Sequence, residues 1–142
     1  CSMEYYEEAL SKFDSNLPVL IFSDDTEWCK NQELFKPDRF MISESGWNLV
    51  DMCLMTMCSH HIIANSSFSW WGVYLSNFDN KQVICPYPWF GPSGEKKFDD
   101  IYNEQLKSTG DVKLISGIMN VTIFGILSAY IVYLFKYNFI NG

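Results

Sequence analysis

A chain of 142 residues with 48% hydrophobic content has the size of one domain and enough apolar material for a core. Its net charge of −7 and its single arginine, Arg39, speak against a nucleic-acid partner, which needs a basic face, and leave little cationic apparatus for a diphosphate. The five cysteines, Cys1, Cys29, Cys53, Cys58 and Cys85, contain no Cys-x-x-Cys pair and define no disulfide framework; Cys53 and Cys58, set in an apolar run, read as small buried hydrophobes.

Residues 5–13 alternate acidic and apolar residues at helical spacing and predict a helix, and Ser2-Met3-Glu4 ahead of it reads as mid-helix, so the chain is expected to be a piece of a longer protein. Residues 17–22 form an apolar run of strand length, with Pro18 near the start where a strand tolerates it. The run opens into Ser23-Asp24-Asp25, followed by a predicted helix over about 26–34, which is an α/β pattern. Of Asp24 and Asp25, one can cap that helix and the other complement its dipole, or one can face a ligand at the carboxyl end of the strand. Adjacent aspartates without further ligands do not suggest a metal.

Residues 39–42 read as the next strand, with the turn Ser43-Glu44-Ser45-Gly46 after it. A helix over about 49–59 follows, Asn48 being its predicted N-cap and Asp51 standing where a capping box places its acid. All else in that helix is apolar or small, so deep burial is expected, and Asp51 is either a cap or a ligand contact.

Residues 60–75 read His-His-Ile-Ile-Ala-Asn-Ser-Ser-Phe-Ser-Trp-Trp-Gly-Val-Tyr-Leu. His61 to Ala64 suit a buried strand, Asn65, Ser66 and Ser67 a turn, and Phe68, Trp71, Tyr74 and Leu75 a helix face. Such a strand–turn–helix unit aims free N–H groups and the positive helix end at one spot; it suits a capped helix without ligand and an anion site equally. Residues 81–86 predict another strand. Residues 87–92 are an aromatic, proline-rich loop, placed over a sugar site or over a core edge, and 95–107 read as a charged surface segment. Residues 114–135 carry no charge over 22 positions, long enough for a helix spanning ~30 Å of hydrocarbon, and predict a transmembrane or membrane-associated helix. The bracketing Lys113 and Lys136 give no orientation. Its alternatives are a tail docked on the domain and a non-native tail.

Phe22-Ser23-Asp24-Asp25 with Trp28, then Asp51, Leu54-Met55 and Cys58, then Ala64-Asn65-Ser66-Ser67-Phe68-Ser69-Trp70-Trp71-Gly72, and finally residues 81–86 with Trp89-Phe90, resemble the α-1,2-fucosyltransferase family. The resemblance covers roughly residues 5–90. It implies an α/β fold, the Rossmann-like C-terminal half of a GT-B glycosyltransferase, here with residues 1–107 as an incomplete donor-binding domain and 108–142 as linker and hydrophobic tail. It further implies transfer of fucose from GDP-fucose to the 2-hydroxyl of a galactose-terminated glycan, inverting, with no metal and no other cofactor. By the same resemblance Asp51 contacts the guanosine part of the donor, Ser66, Ser67, Phe68 and Ser69 with Asn65 hold the diphosphate, and Asp24 and Asp25 support the pocket. The family's His-x-Arg-Arg-x-Asp motif is not matched; Arg39 has no arginine neighbour. The catalytic residues are therefore expected outside these residues, and the membrane, Golgi in a eukaryote, is the expected location. Two other readings stand beside this one: an inactive, membrane-tethered GDP-sugar-binding remnant, and a structural α/β module in which Asp24, Asp51 and Ser67 are only caps.

Overall fold

The computed structural model describes residues 1–78, 81–87 and 89 in full, and residues 112–116 and 131–134 as backbone. Helix α1 (Met3–Leu10) is capped by Ser2, whose side chain accepts the Tyr5 N–H, so the helix begins at Met3 rather than running in from earlier residues. Strand β1 (Val19–Phe22) leads into α2 (Thr26–Lys30) and a 3-10 turn (Glu33–Phe35). The single helix expected over 26–34 is broken because Asn31 and Gln32 turn their side-chain amides back onto the carbonyls of Glu27 and Trp28, which would otherwise continue the ladder. There follow β2 (Phe40–Ile42), α3 (Asn48–Thr56), β3 (His60–Ile62), α4 (Ser67–Leu75) and β4 (Val83–Tyr87), then β5 (Val112–Ser116) and β6 (Ile131–Leu134).

The described strands make one six-stranded sheet in the order β2-β1-β6-β3-β4-β5. β1–β2, β3–β4 and β4–β5 are parallel, whereas β6 runs antiparallel to both of its neighbours, pairing Val19 with Leu134 and Ile62 with Val132. Strand alternation divides the core in two. Val19, Ile21, Ile62 and Ile84 face α1, Cys29 of α2 and Phe35. Leu20, Phe22, Ile63, Val83 and Cys85 face Met55 and Cys58 beside α3, Val73 of α4, and Trp89. The chain thus steps from β1 to β2 with its helix on one face, and from β3 to β4 in the opposite direction with its helix on the other. The direction reverses between β1 and β3, and open α/β sheets bind ligands beyond the carboxyl ends of the strands at such a reversal.

Two expectations are corrected here. Residues 114–135 do not form the predicted membrane helix: part of that span lies in β5 and β6, residues 117–130 are outside the described residues, and no described helix is long and apolar enough to cross a membrane. Freedom from charge suits a buried strand as well as a helix, and Ile131-Val132-Tyr133 is β-branched and aromatic material with an unpaired strand edge on either side to join. Nor is α3 deeply buried. Met55 alone of its residues is buried, while Leu49 is 77% and Val50 44% exposed and Cys53 is exposed, so of the two cysteines only Cys58 is a buried hydrophobe. The charged segment 95–107 and most of the loop 87–92 lie outside the described residues.

Candidate functional site

A cavity of about 290 Å³ opens where the sheet reverses. Phe22, Ser23 and Asp24 line it from the end of β1, Asn48, Asp51 and Met55 from α3, and Ser66 and Phe68 from the start of α4. None of these eight residues is basic. The polar wall therefore offers acceptors, the carboxylates of Asp24 and Asp51, to the N–H and O–H groups of a ligand.

The start of α4 offers the reverse. Ser66 is its N-cap, with Ser66 Oγ accepting the Ser69 N–H at 3.5 Å, and among the described residues its hydroxyl donates to nothing. The first-turn N–H groups cannot reach an intrahelical carbonyl, and a neutral cap leaves the positive end of the nine-residue helix uncompensated. Ser69, buried, spends its hydroxyl on the Ser66 carbonyl 2.8 Å away, which ties the first turn to the residue that caps it.

Of the residues expected at a donor site, the structure brings together Asp24, Asp51, Ser66 and Phe68 in one cavity; Asp25, Asn65, Ser67 and Ser69 do not line it. Asp25 faces its own helix, its carboxylate accepting the Trp28 N–H at 2.9 Å as the N-cap of α2. Asp51 is not part of a capping box, and Asn48 is not a cap. The N-cap of α3 is Trp47, which has no side-chain oxygen, and Asn48 is the first helical residue. Asp51 instead accepts hydrogen bonds on Oδ1 from Ser43 Oγ at 2.6 Å and Ser45 Oγ at 2.8 Å. Sequence reasoning missed Ser23, Asn48 as a lining residue, Phe22 and Met55, although all of them adjoin or belong to the motifs it singled out.

Several buried reactive groups are held inert. Burial pushes the thiols of Cys58 and Cys85 up to about 12, so neither is a nucleophile at ordinary pH. Burial, helped by the charge of Lys81, pulls His61 down to about 3, which keeps its imidazole neutral. Lys81, 1% exposed, donates to the carbonyls of Val73 at 2.8 Å and Ser76 at 2.6 Å and so closes the carboxyl end of α4.

The model of Glycosyl transferase family 11 matches residues 1–106. The chain is 36% identical over 100 residues to the O-antigen biosynthesis glycosyltransferase WbnK of Escherichia coli, covering 67% of this chain and 33% of that protein. It is 42% identical over 105 residues to the alpha-1,2-colitosyltransferase of Escherichia coli, covering 70% of this chain and 36% of that one. The chain thus spans about a third of the length of these relatives. No solved structure matches it. With the family model covering most of its length, the chain belongs to glycosyl transferase family 11.

Proposed function

We propose that the chain is the donor-binding half of a glycosyltransferase that moves fucose from GDP-fucose to the 2-hydroxyl of a galactose in a glycan, with inversion and without a metal. The observation that carries this reading is the meeting, in one cavity, of two carboxylates and a neutral-capped helix N-terminus. Asp24 and Asp51 accept from the hydroxyl and N–H groups of the nucleoside. The first turn of α4 and the Ser66 hydroxyl take the diphosphate, as helix N-termini do. Breaking the bond between fucose C1 and the β-phosphate leaves negative charge on that phosphate, and donors already aimed there lower the barrier. The acceptor glycan brings the attacking hydroxyl, and its base and an arginine clamp are supplied by other parts of the whole enzyme.

A second reading changes the donor sugar. The 42% identity to a colitosyltransferase favours a colitosyl residue in place of fucose, with the 2-linkage kept. Calorimetric titration of the chain with GDP and GDP-fucose tests the donor site. Saturable binding that Asp51→Ala or Ser66→Asp weakens supports it, whereas binding indifferent to both substitutions would overturn it. Transfer assays of the whole enzyme with fucosyl and colitosyl donors then separate the two sugars.

A further inference from the structure

We propose that Ser43 and Ser45 are positioning residues for the donor: they fix the Asp51 carboxylate so that one oxygen, Oδ2, is presented to the ligand. This rests on the reading of the cavity as the nucleoside end of a donor site. Both hydroxyls converge on the same oxygen, Oδ1, at 2.6 and 2.8 Å. A carboxylate oxygen has two lone pairs in the carboxylate plane, so two such bonds occupy Oδ1 and set the plane of the group. A free aspartate on a half-buried helix would rotate and share its charge with water. Here the rotation is removed before the ligand arrives, which lowers the ordering cost of binding.

The two serines are themselves anchored from outside α3. The Ser43 N–H donates to the Ile21 carbonyl at 2.8 Å, one step past the last β1–β2 pair, so its hydroxyl is fixed to the end of the sheet next to Phe22, Ser23 and Asp24. Ser45 Oγ accepts the Trp47 N–H at 3.1 Å, and between them Gly46 takes φ 67°, a conformation that glycine adopts at no steric cost and that turns Ser45 back towards Asp51. Neither serine lines the cavity, so neither touches the ligand; each acts through Asp51. The arrangement selects a ligand that brings an N–H or O–H donor to this wall, and holds that acceptor in the cavity that Asp24 also lines.

The test is GDP titration of the full chain as wild type, Ser43→Ala/Ser45→Ala, Ser43→Thr/Ser45→Thr, Asp51→Ala, and the triple variant carrying both alanine changes with Asp51→Ala, with melting curves to show that each is folded. The alanine pair is expected to weaken GDP about 10-fold, the size typical of residues that orient a binding group. The threonine pair, which keeps both hydroxyls, is expected to bind like wild type, and the alanine pair is expected to add nothing once Asp51 is gone. Should the alanine pair fail to fold, the single Ser43→Ala and Ser45→Ala variants carry the same comparison. Wild-type affinity in the alanine variants, together with a loss in Asp51→Ala, would overturn the positioning role and leave the donor site standing. A serine effect that persists without Asp51 would overturn it as well, since the hydroxyls would then act elsewhere. GDP affinity untouched by Asp51→Ala would remove the donor-site reading itself.

Discussion

Two of the chain's strand–turn–helix units, those after β1 and after β3, differ in how the helix ends are closed. After β1, the N-cap of α2 is Asp25, a carboxylate that satisfies the Trp28 N–H and cancels the positive end of the helix with its own charge. After β3, the N-cap of α4 is Ser66, which satisfies one N–H and cancels nothing. At the other ends the contrast repeats. Lys30, at the end of α2, is exposed and paired with Glu27 and Glu44 on the surface, while the α4 end is closed by the buried Lys81. An acidic cap makes a helix N-terminus self-sufficient, and a neutral one leaves it open for an anion. The helix N-terminus thus serves as scaffold in the first unit and, in the reading proposed above, as a binding element in the second.

The contrast can be broken from several sides. Lys81→Met keeps the stem but strips two buried carbonyls of a donor, and is expected to lower unfolding stability by about 3 kcal/mol, measured by denaturant titration. Replacing Lys30 in the same way should leave the melting curve nearly unchanged, because an exposed ion pair is screened by water. Ser66→Asp gives α4 the cap that α2 has. Folding should be preserved, while GDP affinity falls about 30-fold, or ~2 kcal/mol, as the new charge meets the diphosphate; undiminished binding would place the phosphates elsewhere.

Acid should open the second unit first. β1 is wholly apolar, whereas β3 buries His61, held neutral in the fold with its value lowered from 6.5 to about 3. The unfolded chain takes a proton below about 6.5 that the folded chain refuses, so stability is whole above that pH and declines as pH falls towards 3. At pH 5 the loss is about 2 kcal/mol, and thermal melts at pH 7.5 and 5 should show it in wild type but not in His61→Leu. The smallest effect is expected from Asp25→Ala, which costs about 1 kcal/mol through the lost cap and should leave GDP affinity nearly intact. A large binding loss there would mean that Asp25 contacts ligand as Asp24 is proposed to do.

Much of this arrangement was legible in the residues, for local reasons. Apolar runs ending in Ser23-Asp24-Asp25 and in Asn65-Ser66-Ser67 announce strands that turn into helices, because those side chains bond the backbone where the strand stops. What failed were judgements that depend on distant neighbours. The apolar content of α3 suggested burial, but a helix is buried only as far as something covers it, and Leu49 and Val50 face outward. Asp51 stood at capping-box spacing, yet a capping box needs a hydroxyl at the N-cap, and Trp47 has none. Its actual partners lie six and eight residues upstream; Gly46 was the signal that the turn doubles back, but glycine alone does not say onto what. The uncharged tail was equally good material for helix and strand, and only the space between β1 and β3 decides the matter.

That strand governs when the described sheet can become whole. Among the described strands β1 and β3 touch no common partner but β6, so the pair β2-β1 and the trio β3-β4-β5 are joined only through residues 131–134. Val19 pairs with Leu134, nearly the full chain apart. Contacts so distant in sequence are slow to form, and on the ribosome the last strand emerges after everything it must connect. The sheet therefore waits, in two pieces with open edges, until residues 131–134 have been made.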